Sequence, residues 1–139
     1  MSQSNLASEK LARFAGKWHI SLETYRKNGE PVRTPVWFVE ENGELLFRTD
    51  TRTGKLKRIR KNPRVRIAVC SATGKLKGPW VDGEARLLDQ MTSEHVFKLL
   101  KQKYGMVFSA VRVLQRFGRG FKPVGLAIRT ISSVSGRTS

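Results

Sequence analysis

Apolar and polar residues alternate along most of the chain, which is the spacing of half-buried β-strands. In residues 17–26, for example, Trp18, Ile20 and Leu22 occupy alternate positions. The pattern predicts six strands, at residues 17–26, 32–39, 45–49, 64–70, 80–88 and 123–130.

The first three strands are separated by short turn signals. Asn28-Gly29 and Asn42-Gly43 are dipeptides that favour tight hairpin turns, because both positions of such a turn need a positive φ. No helical segment between these strands is long enough for a parallel crossover. We therefore expect the three strands to form an antiparallel meander.

Apolar residues spaced three or four apart predict helices at four places: residues 5–14, 51–61, 92–104 and, in continuation, 107–117. Thr92 is the predicted start of the third helix, and Asn62-Pro63 is expected to end the second. Strands that dominate, with two or three helices around them, indicate an α+β fold built on an antiparallel barrel.

The chain of 139 residues is long enough for one domain only. We expect residues 1–4 and 132–139 to be disordered tails, because they are short, terminal and rich in small polar residues. A barrel of this size has little room for a deep ligand site, so a homodimer with the site at the subunit interface is expected.

Lysine and arginine total 27 against 11 aspartate and glutamate, which gives a net charge of +16. Such a charge attracts anions without choosing among a nucleic acid, a membrane surface and a small acidic ligand. Cys70 is the only cysteine, and His19 and His95 are far apart in sequence, so no metal site is expected. The chain lacks an apolar run typical of a signal peptide or membrane span, which predicts a cytoplasmic protein.

Residues 47–64 carry the strongest candidate site. Hydroxyl groups at Thr49, Thr51 and Thr53 precede a predicted helix whose first turns contain Lys55 and Arg58. Free backbone N–H groups at a helix start favour a phosphate, and two cations three residues apart share one face. The pattern predicts a phosphate cradle; a solvated basic helix is the alternative.

The strand before this segment contains a proline. Pro35 cannot donate to a sheet ladder, so the strand belongs at an edge or a bulge, where its backbone can meet a ligand. An ordinary edge strand explains the same segment equally well.

The order of these segments resembles the pyridoxamine 5′-phosphate oxidase-like family of split β-barrels. The run RTPVWF, a turn, FRTDT, GK, a helix, NPRV and then PWVDGEARLL carries the resemblance over residues 18–88. The branch that uses a deazaflavin, coenzyme F420, is the most similar, with FMN as the alternative cofactor. The net charge favours F420, since its tail ends in glutamates.

The resemblance implies a set of cofactor-binding residues. Those on the strand that lines the ring are Arg33, Thr34, Pro35, Val36 and Trp37, and those on the next strand and at the helix start are Arg48, Thr49, Thr51, Lys55, Lys57 and Arg58. Gly54 stands where the phosphate oxidases have a second basic residue, a position that Lys57 or Arg58 could serve instead. This departure argues against pyridoxamine phosphate as the substrate.

The implied function is an oxidoreductase that transfers a hydride between F420 or FMN and an electron-poor small molecule. No catalytic side chain is identified. Two alternatives stay open: a protein that carries the cofactor without turnover, and a basic nucleic-acid-binding barrel. In the latter, Lys55, Lys57, Arg58, Arg60 and Arg64 would follow a phosphate backbone.

Overall fold

The computed structural model describes residues 11–116 and 122–131, without the side chains of residues 106–116. In this part of the chain, seven antiparallel strands form a single sheet. The strands are β1 (Ile20–Tyr25), β2 (Pro31–Val36), β3 (Val39–Glu41), β4 (Glu44–Asp50), β5 (Arg64–Val69), β6 (Val81–Leu87) and β7 (Pro123–Thr130). Their order across the sheet is β2-β1-β5-β6-β7-β4-β3.

The sheet is curled into a half-barrel. Strands β2 and β3 lie at its opposite edges, and in a flat sheet six strand spacings would separate them by about 29 Å. Yet Val36 ends β2 and Val39 begins β3, and three residues span at most about 11 Å. Only a strongly curled sheet brings its two edges this close, and the α+β split-barrel class is thereby confirmed.

Two predictions about the strands were wrong. The segment 32–39 is two strands instead of one, because the chain leaves β2 at Trp37 and buries Phe38 in the barrel before β3 begins. The meander does not form either, since β2 pairs only with β1 while β4 pairs with β3 and β7. The two hairpins at Asn28-Gly29 and Asn42-Gly43 are confirmed.

The inside of the curl holds the main core. Ile20, Leu22, Phe47 and Ile128 are fully buried there, and Phe38 is almost so. A second, smaller cluster lies on the outer face, where Val96 and Leu100 of a long helix pack against Leu46 and Ala127. The sheet is therefore apolar on both faces over β4 and β7.

Two helices flank the described sheet: α1 (Gly54–Lys61) and α2 (Gln90–Arg116). Helix α1 buries Leu56 and Ile59 in the barrel and ends at Asn62, as predicted. Helix α2 joins the third and fourth predicted helices across a break at Gly105, where φ is 60° and ψ is −134°. It begins before Thr92, because the Asp89 carboxylate accepts a hydrogen bond from the Thr92 amide at 2.8 Å.

The remaining features are the first predicted helix, Cys70, membrane spans and metal ligands. Leu11 and Phe14 of the first predicted helix are buried, whereas residues 1–10 and 132–139 lie outside the described residues. Cys70 is buried, and burial raises the pKa of its thiol. Within residues 11–116 and 122–131, no helix has the length and apolarity to cross a membrane, and no group of side chains could hold a metal ion.

Candidate functional site

Two threonine hydroxyls form hydrogen bonds at the start of helix α1. The Thr53 side chain accepts a hydrogen bond from the Leu56 amide at 3.3 Å and donates to the Asp50 carbonyl at 2.9 Å. The Thr49 hydroxyl lies 3.3 Å from the Thr53 hydroxyl. Because Thr53 caps the helix, the start of α1 is fixed to the end of β4, and the amides of its first turn point outward from a rigid base.

Lys55 lies in this first turn and is only partly exposed. Burial lowers the pKa of its ammonium group, and the charge of Arg58 lowers that pKa further. No carboxylate among the described residues pairs with it. A half-buried cation without a counter-ion is costly, so this position favours the binding of an anion.

Arg58 leans back over the helix start. Its Nε donates a hydrogen bond to the Thr24 hydroxyl of β1 at 2.7 Å, and its Nη1 lies 2.8 Å from where a Cβ at Gly54 would stand. The guanidinium thus occupies the space of a side chain at position 54, the position where the resemblance expected a second basic residue. Burial lowers the pKa of Arg58, and the neighbouring charge of Arg26 lowers it further.

A cleft of about 470 Å³ opens beside this guanidinium. Its described lining contains five basic residues and no acidic one: Arg26, Lys27, Lys57, Arg58 and Lys61. Tyr25 adds an aromatic wall. Like charges that converge without a counter-ion repel each other, so this cleft attracts a ligand with more than one negative charge.

Arg33 on β2 is held by a buried carboxylate. Its Nε donates to Glu23 at 2.8 Å, Arg66 donates to the same carboxylate at 2.7 Å, and Glu23 itself has no exposed surface. The indole of Trp80 lies against both guanidinium groups, 4.8 Å from Arg33 and 4.9 Å from Arg66. Arg33 is therefore fixed in place on the outer face of the sheet.

The rest of β2 presents two different faces. Thr34 and Val36 pair with Leu22 and Ile20, and so face the barrel interior, whereas Pro35 faces outward with Arg33. The strand lies at the sheet edge, as the proline predicted.

Trp37 follows the end of β2. Its ring stacks on Tyr104 at 4.5 Å with an angle of 6° between the planes. Its Nε1 donates a hydrogen bond to Nε2 of His19 at 3.0 Å. The ring is consequently held in one orientation.

The structure brings some predicted residues together and separates others. Thr49, Lys55 and Arg58 gather at the start of α1, while Thr51 lies in the turn before it, its amide bonded to the Lys122 carbonyl at 2.9 Å. Lys57 faces the basic cleft. Arg48 is on the opposite face of β4 from Thr49, where its guanidinium lies 5.9 Å from the Phe97 ring.

Sequence reasoning missed the groups that position these residues. Thr24 orients Arg58, and Glu23 orients Arg33. Both lie in β1, just after its alternating apolar residues Ile20 and Leu22. A glutamate opposite an arginine across a hairpin is a detectable signal, since Glu23 and Arg33 fall in register around Asn28-Gly29.

The curled sheet and the capped helix beside it define a split β-barrel with an anion-attracting helix start. The chain belongs to the pyridoxamine 5′-phosphate oxidase family, whose sequence profile matches residues 9–135. Among curated proteins, no sequence has a significant match.

Solved structures share the fold at low sequence identity. An FAD-binding protein from Mesorhizobium loti superposes with a TM-score of 0.62 and 19% identity, over 91% of this chain and 88% of that one. A protein named F420 reductase gives a TM-score of 0.57 and 18% identity, over 88% and 93%. The heme storage protein HutZ from Vibrio cholerae gives 0.66 and 14%, over 90% and 89%. At these identities the similarity establishes the fold alone.

Proposed function

We propose that this protein binds a flavin-type cofactor through a phosphate at the start of α1. The observation that carries the proposal is Lys55, half-buried without a carboxylate partner in the first turn of a helix capped by Thr53. Arg58, held by Thr24, supplies a second cation over the same helix start. A phosphate there would meet free amides, the helix dipole and two positive side chains.

The ring of the cofactor would lie along the open edge of β2, where the strand has no neighbour in the sheet. Trp37, fixed by Tyr104 and His19, would border that ring. The terminal nitrogens of Arg33 stay available, because its bond to Glu23 uses Nε. The family, and the similarity in fold to an FAD-binding protein and an F420 reductase, support a cofactor of this kind.

Of the two candidate cofactors, F420 fits better. Its acidic tail would extend beyond the phosphate, and the basic cleft lined by Arg26, Lys27 and Lys61 adjoins Arg58. FMN ends at its phosphate and would leave that cleft without a counter-ion. Part of the net charge of +16 is therefore concentrated in this cleft.

With such a cofactor bound, the protein would act as an oxidoreductase, and the cofactor would supply the hydride chemistry. The protein's own residues would bind the phosphate and orient the ring. We also propose a homodimer whose subunits together enclose the ring, because one curled sheet leaves its β2 edge open on one side.

The test is a fluorescence titration with F420 and with FMN. We expect Lys55→Ala to weaken cofactor binding by about 1.5–3 kcal/mol, roughly 10- to 150-fold, the range of a charge-assisted hydrogen bond. Arg60→Ala is the matched control, since it removes one positive charge from an exposed position of the same helix. It should leave the affinity within about twofold.

The outcomes separate the alternatives. Equal affinities of the two variants for the cofactor would contradict the phosphate position. Tight binding of a DNA duplex, weakened alike by both substitutions, would favour a nucleic-acid-binding barrel. Cofactor binding without oxidation of the reduced cofactor by any quinone or enone acceptor would favour a carrier.

A further inference from the structure

A second cleft lies at the other end of β1 from the proposed phosphate site. It has a volume of about 560 Å³. Its walls come from residues 13–19, from the end of β5 with the residues just after it, and from residues 77–79 of the following loop. His19 lines it, and Thr24, which contacts Arg58, is five residues further along the strand. Five residues of strand span about 16 Å, so the two sites are distinct.

The mouth of this cleft carries an exposed aromatic ring. Trp18 is 56% exposed, whereas tryptophan is highly buried on average in folded proteins. One edge of the ring is fixed by Tyr104, at 5.0 Å and 70° between the planes. The exposed part of the indole is therefore a rigid platform on which a flat ligand can stack.

The charges around the ring are all of one sign. Arg13, Lys17 and Lys77 line the cleft, and no aspartate or glutamate is among its described lining residues. None of the three cations forms an ion pair with a described carboxylate. An anionic group would relieve this repulsion.

His19 adds a directed hydrogen-bond donor. Its Nε2 accepts the hydrogen bond from Trp37 and so carries no proton, which places the proton of the neutral ring on Nδ1. Burial lowers the pKa of His19, and the charge of Lys103 lowers it further, which favours the neutral form of the ring. A neutral imidazole with a fixed Nδ1–H can donate to a carboxylate.

We propose that this cleft is a binding site for a planar aromatic carboxylate, stacked on Trp18 with its carboxylate toward Lys77 and His19. An anionic ligand suits this cleft, because its described lining has three cations and no carboxylate. The site does not depend on the proposed cofactor.

The experiment uses 2-naphthoate as the probe, measured by calorimetry and by the indole N–H signals in NMR spectra. We expect saturable binding, with the largest shift at Trp18, and binding at least about tenfold weaker for the neutral 2-naphthamide and for cyclohexanecarboxylate. Trp18→Ala should weaken 2-naphthoate binding by roughly tenfold and Lys77→Gln by roughly threefold.

Matched controls lie on α2: Met91→Ala removes another exposed apolar side chain, and Lys98→Gln another exposed cation. Both should bind 2-naphthoate as the parent does, and so should Lys55→Ala. Equal binding to Trp18→Ala and Met91→Ala would overturn the proposal, as would equal binding of the neutral amide. A fall in oligomeric mass on Trp18→Ala would overturn it too, because the surface would then join copies of the chain.

Discussion

At the scale of single residues, Glu23 is a buried carboxylate that depends on its hydrogen-bond donors. Its carboxylate has no exposed surface, and it accepts hydrogen bonds from Arg66 and Tyr25 at 2.7 Å and from Arg33 at 2.8 Å. Burial alone would raise the pKa of Glu23, but these hydrogen bonds, led by that of Arg66, outweigh it and lower the pKa to about 2. The folded state thus binds this proton more weakly than the unfolded chain does.

This pKa makes stability depend on pH. A carboxyl group with a lowered folded-state pKa stabilises the protein above its ordinary pKa of 4.5, and this contribution is lost as the pH falls toward 2. Glu23→Gln should cost about 3 kcal/mol at pH 7, the low end for a broken buried pair, because both arginines are partly exposed. Urea unfolding between pH 7 and pH 2.5 measures it.

The difference between Glu23→Gln and the parent should shrink steadily below pH 4.5. Glu94→Gln, at an exposed position on α2, serves as the control and should follow the parent at every pH. A constant difference down to pH 2.5 would mean that the substitution acts through packing instead of charge.

At the scale of elements, α1 shows how one helix can supply a missing side chain from its own next turn. Gly54 has no side chain, and Arg58, four residues later, extends its guanidinium into the empty space. Thr24 on β1 fixes the direction of that guanidinium. The charge at the helix start is thereby kept while its position in the sequence moves by one turn.

An exchange of the two positions tests this arrangement. Arg58→Ala should weaken cofactor binding by roughly tenfold, the scale of a lost charge-assisted hydrogen bond. Adding Gly54→Arg to that variant should restore most of the affinity, because the new guanidinium enters the vacated space. Titration with F420 gives the affinities, and urea unfolding checks that both proteins fold.

Gly54→Arg alone should also fold, since the close contact at 2.8 Å is with the far end of the Arg58 side chain and not with the backbone. If the double variant folds but binds no better than Arg58→Ala, the two guanidinium positions are not equivalent.

The sequence predicted elements well where local signals act alone. Asn42-Gly43 sets its hairpin through two positive φ angles, of 53° and 77°, which these residues adopt readily. Thr53 and Asn62 bound α1 through their own hydrogen bonds. The prediction that helix α2 begins at Thr92 was wrong, because the Asp89 carboxylate caps the helix by accepting a hydrogen bond from the Thr92 amide.

At the scale of the whole molecule, the strand order could not be predicted from the chain. Alternation fixes which residues of 32–39 face inward, but not that the chain crosses from one sheet edge to the other at Trp37. That crossing depends on long-range packing: Phe38 enters the core, and the Tyr104 hydroxyl accepts a hydrogen bond from its amide at 3.1 Å. Tyr104 lies 66 residues away, beyond any local pattern.

The candidate site divides in the same way. Lys55 and Thr53 could be predicted, since a capped helix start is a local motif. The pairings of Arg33 with Glu23 and of Arg58 with Thr24 needed the sheet, because each joins residues from separate elements.

The net charge of +16 leads to a prediction about salt. Exposed charges are screened by ions, so a ligand that makes more ionic contacts loses more affinity as salt rises. Between about 0.05 and about 0.5 M NaCl the Debye length falls from roughly 14 Å to roughly 4 Å. Over this range we expect the binding of F420 to weaken by roughly tenfold and that of FMN by only a few-fold. Titrations at several salt concentrations give the two slopes.

A double variant, Arg26→Gln with Lys27→Gln, removes two cations from the basic cleft. This variant should reduce the salt dependence of the affinity for F420 and leave that of the affinity for FMN unchanged. Parallel slopes for the two cofactors in the parent protein would argue that the acidic tail does not reach this cleft.

The two prolines of β2 have a consequence for behaviour at high concentration. An open sheet edge can recruit a strand from another chain and so start aggregation. Pro31 and Pro35 lie on this edge strand and offer no N–H to such a strand. The edge that a ligand could approach is therefore a poor template for amyloid-like growth.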